Sequence, residues 1–500
     1  MASLRFVILI AAILACHKSP AAAQDGFAGS ALRDRSLKLH EKWTGQAEQL
    51  ADKLDADGES AGAEAVRKLI RPAATGVISI PILPTTGPGT TAAPGNSAEK
   101  KPEWQLALAR IRKQHARELY ELAPAAFRAG DATLCYDVMR EVIEHDPDHG
   151  PARGLMGFTR YGKDWVTPFA AGKLRAGQIW HATYGWVPKS HVAHYEKGEQ
   201  LWKGQWLPAA EVAKFRQQWG NAWEVETDHY IVRTNTSLER AVQFADKLEK
   251  LHAVFFRLFA DFFSPREQLA VLFEPANRRK PAGKAADADR RAAKKFRVHF
   301  YRTREEYIDA LRPYVKSGLD ASTGMYLTGT KIAYFFADQR MDESTVVHEA
   351  THQLFSESRE SRQGDGSRGN YWVMEGIACY MESFRDRGDH VELGAWDTPR
   401  LKRGRDWIMA GKLVPIDKLA RMETKDFDGP EVFSLYTQSA CLSHFLMHHD
   451  QGRLRGTLVN YLEQVYMGKA DFDTLSELTE LRYDEMDRLF REHVVGAKYE

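Results

Sequence analysis

One stretch, Val346-Val347-His348-Glu349-Ala350-Thr351-His352, constrains this chain more than any other. On an α-helix, residues four apart share a face, so His348 and His352 can present two imidazoles to one ion. Glu349 lies beside them, where it can take a proton from a water held at that ion. Borderline-soft nitrogen ligands, an open position and an adjacent carboxylate are what zinc-dependent hydrolysis requires. The apolar Val346, Val347, Leu354 and Phe355 favour a packed helix, and Asp342 is placed to cap its start.

A tetrahedral site needs a third protein ligand. Glu357 and Glu360 are nearest in sequence, but they lie further along the same helix axis and cannot turn back to the ion. A third histidine in the H-E-x-x-H-x-x-G-x-x-H arrangement would need Gly at 355 and His at 358; Phe355 and Ser358 stand there instead. After a polar break at Gly364 to Asn370 a second helix begins, with Asn370 as its cap. Glu375 follows His352 with 22 residues between them, enough for a loop and a return helix. Gly376 and Ala378 leave room for close helix packing. Glu375 is the expected third ligand.

The run Trp372 to Glu382, W-V-M-E-G-I-A-C-Y-M-E, resembles the second signature of the gluzincin metallopeptidases. More closely, the motif with Glu375-Gly376 resembles the peptidase MA-like domains of exported bacterial proteins, over about residues 223–500. The resemblance implies a zincin-like catalytic domain, with a mixed sheet and an active-site helix ahead of a mainly helical C-terminal subdomain. It also implies zinc as the metal, His348, His352 and Glu375 as its ligands, Glu349 as general base and a polypeptide as substrate. Tyr436, 61 residues after Glu375, stands where gluzincin aminopeptidases carry the tyrosine that stabilises the developing oxyanion. A half-buried structural tyrosine is the plainer reading of Tyr436, and Tyr380 is the runner-up for the role.

The chain departs from the family pattern twice. Thermolysin-like enzymes place a carboxylate four residues after the third ligand to orient a zinc histidine; Cys379 stands there, and Glu382 on the same helix face is the expected substitute. The Gly-x-Met-x-Asn element that grips a substrate amino terminus is absent, with only Gly324-Met325-Tyr326 brushing against it, which favours an endopeptidase. The rival reading is a non-catalytic exported scaffold with a structural zinc. An intact Glu349 weighs against it, because a structural site has no use for a base there.

The rest of the chain bounds these readings. Its 500 residues exceed a single core, and a formal net charge of +1 offers no global attraction to nucleic acid or anionic membranes. Arg278 to Arg297 carries nine Lys/Arg and reads as a solvated insertion. Arg5, the apolar run Phe6 to Ala15 and Ala21-Ala22-Ala23 read as an export signal over 1–23, too short to remain as a membrane span. A lipid-anchored Cys16 is the minority alternative. Three further cysteines, Cys135, Cys379 and Cys441, form no disulfide framework; Cys379 and Cys441 pair only if their helices touch.

In order, the chain reads as exposed helices over 24–70, then a Pro/Gly/Thr-rich linker over 71–100. A helical hairpin like one tetratricopeptide unit covers 101–158, and a Trp-Val/Leu-Pro module covers 159–220. The α+β domain follows over 223–500. The helical N-terminal region leaves room for a protein partner, and residues before 101 are expected to be dispensable for chemistry. In the module, Trp165, Trp186 and Trp206 recur at spacings of 21 and 20 residues, and three turn-strand units are expected to share a minicore. Lys331 to Phe336 reads as a strand on the substrate side, and His444 and His448 as a polar face near a helix end.

Overall fold

Alternating buried residues at Tyr230, Val232 and Thr234 and at Phe296, Val298 and Phe300 build the centre of a five-stranded mixed sheet. A computed structural model of the protein describes residues 20–70, 76–83, 102–129, 131–263, 294–316, 318–337, 343–358, 369–429 and 431–497. The start of the expected export signal with Cys16, most of the basic insertion, Asp342 and Glu360 lie outside these residues. The sheet runs Met325–Leu327, Ile332–Phe336, Phe296–Tyr301, Tyr230–Thr234, Trp223–Glu226; its three central strands are parallel and each edge strand is antiparallel to its neighbour.

One face of the sheet packs on the amphipathic helix Leu238–Leu258, which opens where Ser237 accepts a hydrogen bond from the Arg240 backbone N–H. Phe244 of that helix stacks on Phe300 at 4.6 Å between ring centroids. The motif helix, Glu343–Ser358, lies on the same face, with Val346, Val347, Ala350, Leu354 and Phe355 buried. The other face, through Tyr334 and Phe336, packs on Tyr307 and Leu311 of the helix Arg304–Leu311. Ile332–Phe336 is therefore covered along both sides. Met325–Leu327 is the open edge nearest the motif helix, which corrects the substrate-side strand expected at Lys331 to Phe336.

Beyond the motif helix come the return helix Tyr371–Met381 and the long helix Val432–Gly452, which lie side by side. Together these segments make a mixed α/β structure compatible with the α+β class. Among the described residues, no helix is long and apolar enough to cross a membrane, and Cys135, Cys379 and Cys441 are buried and unpaired.

The upstream segments depart from the expectation in three ways. Pro20–Ala56 and Ser60–Arg67 are not exposed helices: Trp43, Ala47, Ala51 and Leu54 are buried, and the first helix packs on Glu103–Tyr120. It is the neighbour that the 101–158 hairpin needs to bury its face. Within the stretch read as linker, Ile78–Pro81 forms a strand paired antiparallel with His390–Leu393, and Ile80 is 1% exposed in the main core. Residues before 101 therefore contribute to the core that carries the site. The Trp rings do not share one minicore. Trp186 packs on Phe169 of the preceding unit's helix, and Trp206 likewise stacks on His194 of the helix before it, at 4.0 Å, so the units are joined in series.

His444 and His448 form no polar face either. His444 Nε2 donates to the Gly394 carbonyl and its Nδ1 meets His493 Nε2, each at 2.9 Å, while His448 Nε2 lies 2.8 Å from the Tyr380 hydroxyl. Burial, reinforced by His493, pushes the His444 imidazole down to about 3. Burial takes His493 down to about 4. The unfolded imidazoles protonate near pH 6.5, so the folded form binds fewer protons below that pH. This stability is fully present above pH 6.5 and is lost as pH falls toward the folded values. The expected slope is ~1.4 kcal/mol per pH unit from His444 alone. Urea midpoints measured from pH 7 to pH 4.5 check it, and a His444→Gln variant is expected to flatten the slope.

Candidate metal centre

The motif helix turns His348 and His352 toward the return helix while its opposite side is held in the core. Among the described residues, His348, His352 and Glu375 form one group whose ligand atoms converge. His348 Nε2 and His352 Nε2 are 3.2 Å apart, and Glu375 Oε2 is 3.3 Å from the first and 3.5 Å from the second. Ligands ~2.0–2.1 Å from a tetrahedral ion are ~3.3 Å from one another, so the three atoms stand as three corners around a common centre. Two imidazoles and a carboxylate are a donor set that zinc accepts with its fourth position open. The residues present fit the ion.

Glu375 is placed by its surroundings. Gly376 faces Ser439 and Ser443 of the helix Val432–Gly452 so closely that a Cβ would lie 2.7 Å from the Ser439 carbonyl oxygen. The turn before the return helix is fixed by Asn370, whose backbone has φ +62°. Asn370 occupies the cap position, but its side chain makes no capping bond: its amide donates to the Asp471 carbonyl at 2.7 Å and its Oδ1 accepts from Tyr461. The Tyr371 hydroxyl donates to Glu375 Oε1 at 2.6 Å, leaving Oε2 for the centre. Burial works against the Glu375 charge, yet His352 and His348 outweigh it and hold the carboxyl well below its usual range.

On its other side, His348 Nδ1 meets Glu382 Oε1 at 3.0 Å. Arg400 clamps that carboxylate twice, Nε to Oε2 at 2.9 Å and Nη2 to Oε1 at 2.8 Å. Glu382 therefore holds the His348 ring, the role for which Cys379, four residues after Glu375, offers no carboxylate. Cys379 is near as well, with its sulfur 3.9 Å from the same nitrogen, and burial with the Glu382 charge pushes the thiol up to about 11. His348, Cys379 and Glu382 form a second convergent group, but a protonated thiol and a carboxylate already neutralised by Arg400 leave little there for a cation.

Glu349 takes no part in the three-residue group. Its Oε2 accepts from the Tyr326 backbone N–H at 2.8 Å, on the side of the edge strand turned away from Ile332–Phe336. Tyr436, on the Val432–Gly452 helix, sets its ring edge-to-face with His348 at 6.5 Å and with Phe427 at 5.8 Å. Burial, then the Glu375 charge, raises its phenol, which stays protonated at neutral pH. Tyr380 is buried with its hydroxyl on His448, so the runner-up is turned away from the centre. Arg400 and Tyr371 were not foreseen; Tyr371 carried a signal, since it stands four residues before Glu375 on the same helix face.

Removing the clamp while keeping the ligands should loosen His348. Arg400→Leu is expected to weaken zinc binding at this group by ~10–100-fold, read by competition with a chromogenic chelator, while Arg403→Leu, one turn on and exposed, leaves it unchanged. No known family model matches the chain, and no curated protein matches it; what the site can do is set by the geometry above.

Proposed function

We propose that residues 223–500 form a zincin-like hydrolase domain of the gluzincin type, an exported endopeptidase that uses water activated at a zinc ion. The observation that carries this reading is the convergence of His348 Nε2, His352 Nε2 and Glu375 Oε2 beside a carboxylate, Glu349, that is not needed to hold the ion. Zinc in that cradle would supply Lewis acidity and a water of lowered pKa.

The chain's own groups supply the rest. Glu349 has one oxygen anchored by the Tyr326 N–H, and the other has no hydrogen-bond partner among the described residues. That free oxygen takes the proton of the attacking water and returns it to the leaving nitrogen. Tyr436 keeps its proton and donates to the carbonyl oxygen as negative charge develops there. Glu382, held by Arg400, fixes the His348 ring so that Nε2 faces inward. The outer side of Met325–Leu327, unpaired among the described strands, offers the Tyr326 carbonyl to an extended polypeptide, the Tyr326 N–H being held by Glu349.

Glu349→Gln is expected to lower kcat by ~10²–10⁴-fold with zinc content unchanged. Tyr436→Phe should lower kcat by ~10²-fold and leave KM nearly as it was. Chelator-sensitive hydrolysis of a mixed peptide library provides the assay. Full activity in the Glu349→Gln protein would remove the base from the mechanism. Wild-type protein that binds zinc but cleaves nothing would leave the non-catalytic scaffold as the better reading.

A further inference from the structure

The upstream helical layer holds a second convergence of metal-binding side chains, and it shares no residue with the first. His40 comes from the helix Pro20–Ala56, His115 from Glu103–Tyr120, and Glu141 and His145 from Ala132–His145. Glu141 Oε1 lies 3.2 Å from His40 Nδ1 and 2.9 Å from His115 Nε2, and His145 Nε2 follows at 4.0 Å. The ligand atoms of His40, His115 and Glu141 all fall within 4.8 Å of one another.

Ring orientation separates this cluster from ordinary histidine packing. Imidazole lone pairs lie in the ring plane, so two rings stacked face to face cannot aim at one ion, whereas inclined rings can. His348 and His352 are 4.8 Å apart at 75°, and His115 and His145 repeat that disposition at 4.6 Å and 87°. The group of His229, Glu249 and His252 fails the criterion. Its rings are stacked at 3.6 Å and 16°, and Phe256 covers the same imidazole of His252 at 4.1 Å.

The cluster is also walled. Trp43, one turn beyond His40, stacks on His115 at 5.9 Å and meets His145 edge-on at 4.6 Å, closing the site from the core. His115 is buried, and the Nδ1 of buried His145 has no hydrogen-bond partner among the described residues. Glu141 is the carboxylate of the cluster, with one nitrogen each of His40 and His115 at hydrogen-bond distance from the same oxygen.

We propose that His40, His115 and Glu141 bind a second divalent transition-metal ion of the zinc class, with His145 the nearest further donor. An ion there would tie the N-terminal helix to two helices more than 70 residues away in sequence. Its chemistry is structural, because no free carboxylate base or phenol stands among the groups named at the cluster.

The test uses full-length untagged protein carrying His348→Ala and His352→Ala, so that its outcome is independent of the first site. Titrated with zinc and dialysed to equilibrium, this double variant is expected to retain one equivalent per chain by elemental analysis. Cobalt in its place is expected to give visible d–d bands of a four-coordinate N/O site. Adding His40→Ala, at a side chain 49% exposed and therefore tolerant of truncation, or the near-isosteric Glu141→Gln, is expected to abolish the bands and weaken zinc binding by at least tenfold. Circular dichroism confirms that each variant is folded. A double variant that binds no zinc, or one whose zinc and cobalt signals survive both His40→Ala and Glu141→Gln, overturns the proposal. Loss of peptide hydrolysis alone leaves this result untouched.

Discussion

The proposed metal centre depends on one close helix approach, that of Gly376 to the helix Val432–Gly452. With no side chain at 376, the return helix settles against Ser439 and Ser443, at a spacing that any Cβ would violate. The neighbouring Glu375 is thereby carried to the two imidazoles of the motif helix. The same long helix bears Tyr436 three residues before Ser439, on the same face. One packing contact thus fixes both a ligand and the phenol beside it. A larger residue at 376 would displace the two together, with no change to any ligand.

A buried carboxylate is costly unless its charge is met. Glu375, 6% exposed, is met on one oxygen by Tyr371 and on the other by His348 and His352. The arrangement is extended outward through His348 to Glu382 and from there to Arg400, so each polar group hands its demand to a further partner. The outermost member, Arg400, is paired bidentately and sits on the helix Pro399–Met409, which itself packs against Val432–Gly452. The polar chain and the helix packing therefore close on the same elements.

The centre was legible in the chain to the extent that its chemistry is local. His348, Glu349 and His352 are set by helical spacing, and Glu375 by the presence of Gly376 and the length of the break. Glu382 could be found because it lies two turns beyond Glu375 on one face. Arg400 could not, since nothing in sequence links it to residue 382 across a helix end and a hairpin. Strand order was equally hidden. Ile332–Phe336 is as apolar as a buried strand should be, yet only pairing reveals that Met325–Leu327 covers its side and becomes the edge. Ile78-Ser79-Ile80 was masked by the Pro and Gly around it; its alternation is a strand pattern whose partner, His390–Leu393, lies some 300 residues away. His444 and His448 read as polar because charge and burial cannot be told apart for histidine without its neighbours.

The proposed hydrolysis requires zinc held by two histidines and one carboxylate at His348, His352 and Glu375. Zinc X-ray absorption on the His40→Ala protein loaded with one equivalent examines that donor set directly. Two imidazole nitrogens and oxygen donors at ~2.0–2.1 Å are expected, with a spectrum that changes on Glu375→Gln. A shell with three or more imidazoles, or with sulfur, or one left unaltered by Glu375→Gln, would contradict it.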